Sequence, residues 1–133
     1  MKLDTDAIRT IAAFVKVTGI QPRDCMSTED CIYFLVDPDK MTLAIGKSGS
    51  TVSRLRKIFH KNVKLFGYHD NALDMIKGMI PGTLEIKLEN GYAMVSVPLA
   101  DKSRVIGRRG SNIKAIKAIL KRHFNVEDVK LRA

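Results

Sequence analysis

Residues 44 to 52 read AIGKSGSTV, and residues 105 to 113 read VIGRRGSNI. The glycines of the two stretches stand in register, since 107 minus 46 and 110 minus 49 both give 61. Each copy is a Gly-x-x-Gly with basic residues on its tip, preceded by an isoleucine (Ile45, Ile106). Each is followed by a serine and, two residues later, by a β-branched apolar residue (Val52, Ile113). A chain that writes this twice invites the question of whether its flanks repeat as well.

They do. DTDAIRTIAAFVKVTG, residues 4 to 19, begins with acidic cap candidates, carries Ile8, Ile11, Ala12 and Val15 at helical spacing and ends at a glycine, which predicts a helix. RDCM and CIYFLV, separated by the polar STED, predict two strands. Asp37 followed by Pro38 predicts the capped start of a short helix that Gly46 ends. After Gly49 a second helix carries Val52, Leu55, Ile58 and Phe59 on one face, and VKLF closes the half as a strand. Tyr33, Phe34 and Phe59 are expected in the core.

The second half follows the same order. NALDMIKGM predicts a helix, and TLEIKLENGYAMVSV alternates around Asn90-Gly91, the strongest hairpin signal in the chain. A short helix runs from about Leu99 to Gly107. After Gly110 a longer helix carries Ile113, Ile116, Ile119, Leu120 and Phe124, and VEDVKLRA supplies the last strand. The expected fold class is therefore α+β: two small domains, residues 1–67 and 68–133, joined in GYHD. Each is a three-stranded mixed sheet covered on one face by helices.

A length of 133 residues with 45% hydrophobic content suits one ordinary domain or two very small ones. Apolar runs such as IAAFV are too short to span a bilayer, and no signal-peptide pattern opens the chain, so an intracellular, cytoplasmic protein is expected. Cys25 and Cys31 are expected as reduced structural residues. His60, His69 and His123 are scattered without the spacing of a zinc site or of a nucleophile–base pair, so neither metal nor catalysis is expected.

Charge is the more informative quantity. Net charge is +9, and 15 of the 23 basic residues fall in two windows, 40–66 and 102–122, that contain none of the 14 acids. Both windows are centred on the glycine repeats. Concentrated positive charge favours polyanions, nucleic acid or an anionic membrane surface.

Glycine at both ends of a four-residue turn permits positive φ and a close ligand approach, and the helix that follows offers unpaired N–H groups and a positive dipole end. Such a corner suits an anion. Gly46-Lys47-Ser48 also matches the end of the nucleotide-binding pattern G-x-x-x-x-G-K-[ST], but Met41 stands where that pattern needs glycine and the preceding segment reads as a helix, not a strand. The second copy has Arg108-Arg109 in place of Lys-Ser. An NTPase is the weaker alternative.

The paired motifs, framed by helices in this order and combined with LVDPDKMTLAIGKSGSTVSRLRKIF and VSVPLADKSRVIGRRGSNIKAIKAIL, resemble two K-homology (KH) RNA-binding domains of type II. The whole chain is similar to the short archaeal NusA-like transcription termination/antitermination factors. That resemblance implies single-stranded RNA as ligand. Gly46, Lys47, Ser48 and Gly49 would form one backbone clamp, and Gly107, Arg108, Arg109 and Gly110 the other. Ile45, Val52, Ile106 and Ile113 would line the groove floors beside them, although apolar residues at helical spacing also read as plain core. Arg54, Arg56, Lys114 and Lys117 would strengthen phosphate attraction without reading bases.

The chain has no Trp and no aromatic residue beside either loop, which argues against a binder built on stacking. Unlike bacterial NusA, it is expected to have no amino-terminal polymerase-binding domain or S1 domain before Met1. RNA polymerase or other transcription factors remain candidate partners by resemblance. No cofactor, small-molecule substrate or membrane is expected, and a KH role in ribosome or RNA processing would use the same clamp.

Overall fold

The computed structural model describes residues 5–133; Asp4, one of the expected helix caps, lies outside the described residues. The chain divides into two compact units, one through Tyr68 and one from His69. The first holds α1 (Thr5–Thr18), β1 (Asp24–Ser27), β2 (Cys31–Val36), α2 (Met41–Ile45), α3 (Ser50–Phe59) and β3 (Asn62–Gly67). The second holds α4 (Ala72–Met79), β4 (Glu85–Glu89), β5 (Tyr92–Ser96), α5 (Leu99–Ile106), α6 (Ser111–Phe124) and β6 (Asp128–Arg132).

Both sheets are mixed and identically ordered: β1-β2-β3 and β4-β5-β6, with the first pair antiparallel and the second parallel. A parallel pair cannot be joined by a tight turn and needs a crossover. In each unit the crossover is the helix, glycine loop and helix, which sets the loop beside the edge strand, β3 or β6. This α+β arrangement fits a KH-type fold.

Local chemistry explains the elements. Asn90 (φ 51°) and Gly91 (φ 80°) take the paired positive φ values of a two-residue hairpin turn. Asn71 caps α4, its Oδ1 accepting from the Asp74 N–H at 2.9 Å. The helices α3 and α6 both run into a left-handed residue, His60 and Asn125, types that tolerate positive φ.

The first core gathers Phe14, Phe34, Val36, Leu55 and Val63. Phe14 stacks on Phe34 with ring centroids 4.2 Å apart, and burying a side chain of this size stabilises by roughly 1.5–3 kcal/mol. That contact sets the rotation of α1: Ile11, Phe14 and Val17 turn inward, while Ile8 and Ala12 of the expected stripe are exposed. Ile58 of α3 is likewise exposed, since Leu55 and Val52 occupy the inward positions. The second core is built on Ile116, Ile119 and Leu120 of α6 against Ala93, Val95 and Val129, with Phe124 only half-buried at the helix end.

The cap expected at Asp37 is corrected. Asp37 makes no cap bond; its Oδ1 instead accepts from Arg23 Nε at 2.6 Å, so proline alone shapes the turn at Pro38. In the first sheet all six residues of β2 are buried, including Cys31, Tyr33 and Leu35 on the face turned away from Phe34. A strand apolar at every position favours burial on both faces. Tyr33 stacks with Phe66 on that side, centroids 5.7 Å apart. Cys25 and Cys31 are buried free thiols, and burial pushes the Cys31 thiol up from its ordinary value. Among the described residues no helix is long and apolar enough to cross a membrane.

Candidate nucleic-acid interface

The two glycine corners are superposable in their dihedral angles. Helix α2 ends at Gly46 (φ 79°, ψ 167°), whose N–H still reaches the Thr42 carbonyl at 3.0 Å. Helix α5 ends at Gly107 (φ 78°, ψ 174°), bonded to Ser103 at 2.9 Å. A single tight turn follows in each, closed by the Gly49 N–H on the Gly46 carbonyl and the Gly110 N–H on the Gly107 carbonyl, both at 3.1 Å. Gly49 (φ 75°) and Gly110 (φ 70°) then cap the next helix in the left-handed conformation.

The loop closes on itself with the N–H groups of Gly46, Gly49 and Ser50. Those of Lys47 and Ser48 have no partner among the described residues, and they stand at the positive end of the α3 dipole with the exposed Lys47 side chain alongside. This is the donor set an anion needs.

Beside the first loop lies a groove of about 390 Å³. Five of the expected residues line it: Ile45, Ser48, Gly49, Val52 and Arg56. Ile45 is 39% exposed and so presents an apolar surface, whereas Val52, at 8%, is mainly core with one edge to the groove. Lys47 and Arg54 are exposed outside its lining, and Gly46 forms the hinge behind the loop.

The far wall was not foreseen. It consists of Val63, Lys64 and Leu65, with Met41 and Ser53 completing the floor and rim. Ser53 could have been found from helical spacing, being four residues after Gly49 and next to Val52. The wall could not, because no local pattern says that β3 is an edge strand or that α2 and α3 lie along it. At this edge the Val63 N–H donates to Asn62 Oδ1 at 2.9 Å and the Val63 carbonyl accepts from Arg56 Nη2 at 3.5 Å. The peptide of Val63 therefore faces away from β2, and by the two-residue period of a strand so does that of Leu65. An edge of this kind offers backbone donors and acceptors to the edges of bases.

In the second unit Arg108, Arg109 and Lys114 are exposed around the loop, and Ile106 and Ile113 are both half-buried, where the first unit has Ile45 exposed and Val52 buried. The edge differs in charge. Asp128 stands where the first unit has Asn62: its Oδ1 accepts from the Val129 N–H at 2.8 Å and pairs with Lys117 Nζ at 3.2 Å. The hydrogen bond from Val129, then that from Lys117, holds the Asp128 carboxyl below its ordinary value. Lys117 is thus committed to a carboxylate, and Lys121 lies 3.9 Å from Glu127. The second edge has less uncompensated positive charge than the first.

One further pair escaped the sequence reading. Asn112 is buried, and its Nδ2 donates to the Val105 carbonyl at 2.9 Å, tying the start of α6 to the end of α5 across the loop. Thr51 occupies the same position in the first copy.

No family model matches the chain. It is 31% identical over 134 residues to a protein of Halococcus morrhuae named as a probable transcription termination protein NusA, covering 97% of this chain and 96% of that one. A protein of Thermoplasma acidophilum with the same name is 26% identical over 136 residues, covering 98% and 94%. The crystal structure of APE1850 superposes with a TM-score of 0.78 at 28% identity, covering 98% of this chain and 100% of that one. None of these similarities indicates an enzymatic family. With near-complete coverage by relatives of this kind, the chain belongs to the family of small archaeal NusA-like transcription termination proteins.

Proposed function

We propose that the chain is a tandem type II KH protein, with domains at 1–67 and 68–133, that clamps single-stranded RNA with two GxxG loops in the regulation of transcription termination or antitermination. The observation that carries this is the groove beside Gly46–Gly49, which joins an anion-suited corner, an apolar floor and an open strand edge in one place. A phosphate sits against the N–H groups of Lys47 and Ser48. The adjoining bases lie over Ile45 and Met41, and their edges meet β3, with Arg56 and Lys64 on the rim. Gly107, Arg108, Arg109 and Gly110 hold a second stretch of backbone over Ile106 and Ile113. Arg54 and Lys114 add phosphate attraction that treats all sequences alike.

Four bases per groove is the usual reach of such a clamp. The relatives' role in transcription makes RNA polymerase or another transcription factor the natural protein partner, in the cytoplasm, and nothing in the mechanism calls for a cofactor.

Fluorescence anisotropy with a mixed-sequence single-stranded RNA tests the proposal. Wild type is compared with Lys47→Asp/Ser48→Asp, Arg108→Asp/Arg109→Asp and the quadruple variant, each checked for folding by circular dichroism. Each pair is expected to weaken binding and the quadruple to abolish it. With about four phosphates neutralised, the log–log salt slope is expected near −3. A folded quadruple variant that binds like wild type would show that the corners are only turns.

A further inference from the structure

The two sheets turn very different surfaces away from their helices. In the first, the register places Cys31, Tyr33, Leu35 and Phe66 there, all buried. In the second, the same positions are Tyr92, Met94, Ser96 and Arg132, and Tyr92 is 57% exposed. A depression of about 520 Å³ lies on this face, lined by Tyr92, Met94, Lys87, Glu89, Lys130 and Arg132 among others. Packing does not explain an aromatic ring left in solvent beside three cations.

Charge and continuity say what could lie there. Of the carboxylates on the face, Asp128 is bound to Lys117 and Glu85 stands 3.9 Å from Lys87, which leaves Glu89 against Lys130 and Arg132. Arg132 is held beside the thioether of Met94, Nη1 to Sδ 3.1 Å, so its guanidinium is spread along the sheet. Lys130 pairs with Met94 as Lys64 pairs with Tyr33, and Lys64 lines the groove of the first unit. The strand position of Lys130 is therefore the lip between groove and outer face. A strand of RNA held at Gly107–Gly110 and running along β6 needs only to turn over this lip for its next base to reach Tyr92.

We infer that the outer face of the second sheet is a further nucleobase-binding surface, on which Tyr92 stacks a base of the same single-stranded RNA while Lys130 and Arg132 hold the adjoining phosphates. The inference rests on the RNA-clamp reading above. An exposed aromatic on an open sheet with flanking cations is a physical means of holding a base without reading its sequence. Purines, with the larger π-face, gain more than pyrimidines.

The probe is a fluorescein-labelled oligoadenylate of about 12 nucleotides, enough for three groups of four bases, with oligouridylate of the same length beside it. Tyr92→Thr keeps a strand-favouring residue and is expected to weaken oligoadenylate binding about tenfold, the scale of one stacked base, and oligouridylate less. Tyr92→Phe is expected to bind as wild type. Lys130→Glu/Arg132→Glu is expected to weaken both, and photo-cross-linking with 8-azidoadenosine in the oligonucleotide is expected to label the β5 peptide containing Tyr92. If Tyr92→Thr, folded by circular dichroism, binds like wild type and no label reaches β5 while Arg108→Asp/Arg109→Asp loses affinity, the clamp stands and this inference falls, leaving the face to a protein partner or to solvent. If the wild-type chain binds neither oligonucleotide, both readings fall together.

Discussion

Gly46 and Thr51 lie so close that a Cβ on the glycine would sit 2.3 Å from Thr51 Oγ1 and 2.7 Å from its backbone nitrogen. Gly107 stands in the same relation to Asn112, with a Cβ 2.7 Å from the Asn112 Cβ. Among the described residues nothing lies within 4 Å of a Cβ on Gly49. The first glycine of each loop is thus fixed by sterics and by a backbone conformation that only glycine adopts readily, the last by φ alone. Gly46→Ala is expected to destabilise by about 3 kcal/mol, combining strain and overpacking, and Gly49→Ala by about 1 kcal/mol. Urea unfolding followed by circular dichroism checks the order; equal losses would mean that contact with Thr51 does not hold the corner.

Between the glycines, Ser48 (φ 54°) and Arg109 (φ 55°) are side-chain-bearing residues in the left-handed region. Strain of this kind persists only where the surrounding structure over-determines it, and it clusters at functional sites. Arg109→Gly removes about 1 kcal/mol of strain and gives back a similar amount to the unfolded chain's freedom. Stability is expected to stay level or rise slightly, while RNA affinity falls with the lost cation. Unfolding and anisotropy measured on the same preparation test whether the two properties separate.

Much of this was legible in the sequence because it was local. The helix breaks at Gly46 and Gly107, the Asn90-Gly91 hairpin and the basic windows each depend on residues within a few positions of one another. What failed was whatever depended on packing partners. The face of α1 follows Phe14, because Phe34 receives it; Asp37 turned from its expected cap to Arg23, an ion partner 14 residues back. The groove wall at Val63–Leu65 required knowing that β3 is an edge, and the commitment of Lys117 required knowing that α6 brings it over Asp128.

The buried amide of Asn112 offers a test of how the corner is held. Its Nδ2 is a donor to the Val105 carbonyl, one of the terminal helix carbonyls that lack an intrahelical partner. Asn112→Ala leaves that carbonyl without the amide donor and is expected to destabilise by roughly 1–3 kcal/mol. Asn112→Asp, ionised, presents only acceptors to it and is expected to lose more. Asn112→Thr installs the residue of the first copy and is expected to be the mildest of the three in urea unfolding.

Asp128 carries the pH dependence that can be assigned to the second edge. Its pKa is depressed below 3.8, first by the hydrogen bond from the Val129 N–H and next by that from Lys117. A carboxyl depressed on folding adds stability that is present above its unfolded pKa and is lost as pH falls through the folded one, so this contribution fades only in acid, below about pH 4. With both side chains 43% exposed, solvent screening keeps it small. In Lys117→Ala the midpoint, followed by NMR of the Asp128 carboxyl carbon, is expected to rise only part of the way back, since the Val129 bond remains. Asp128→Asn retains an acceptor for Val129 but releases Lys117 to solvent and phosphate. RNA affinity is then expected to rise a few-fold at low salt and the salt slope to steepen by about 0.7, one phosphate contact. An unchanged slope would mean that Lys117 serves the fold of the edge and not the ligand.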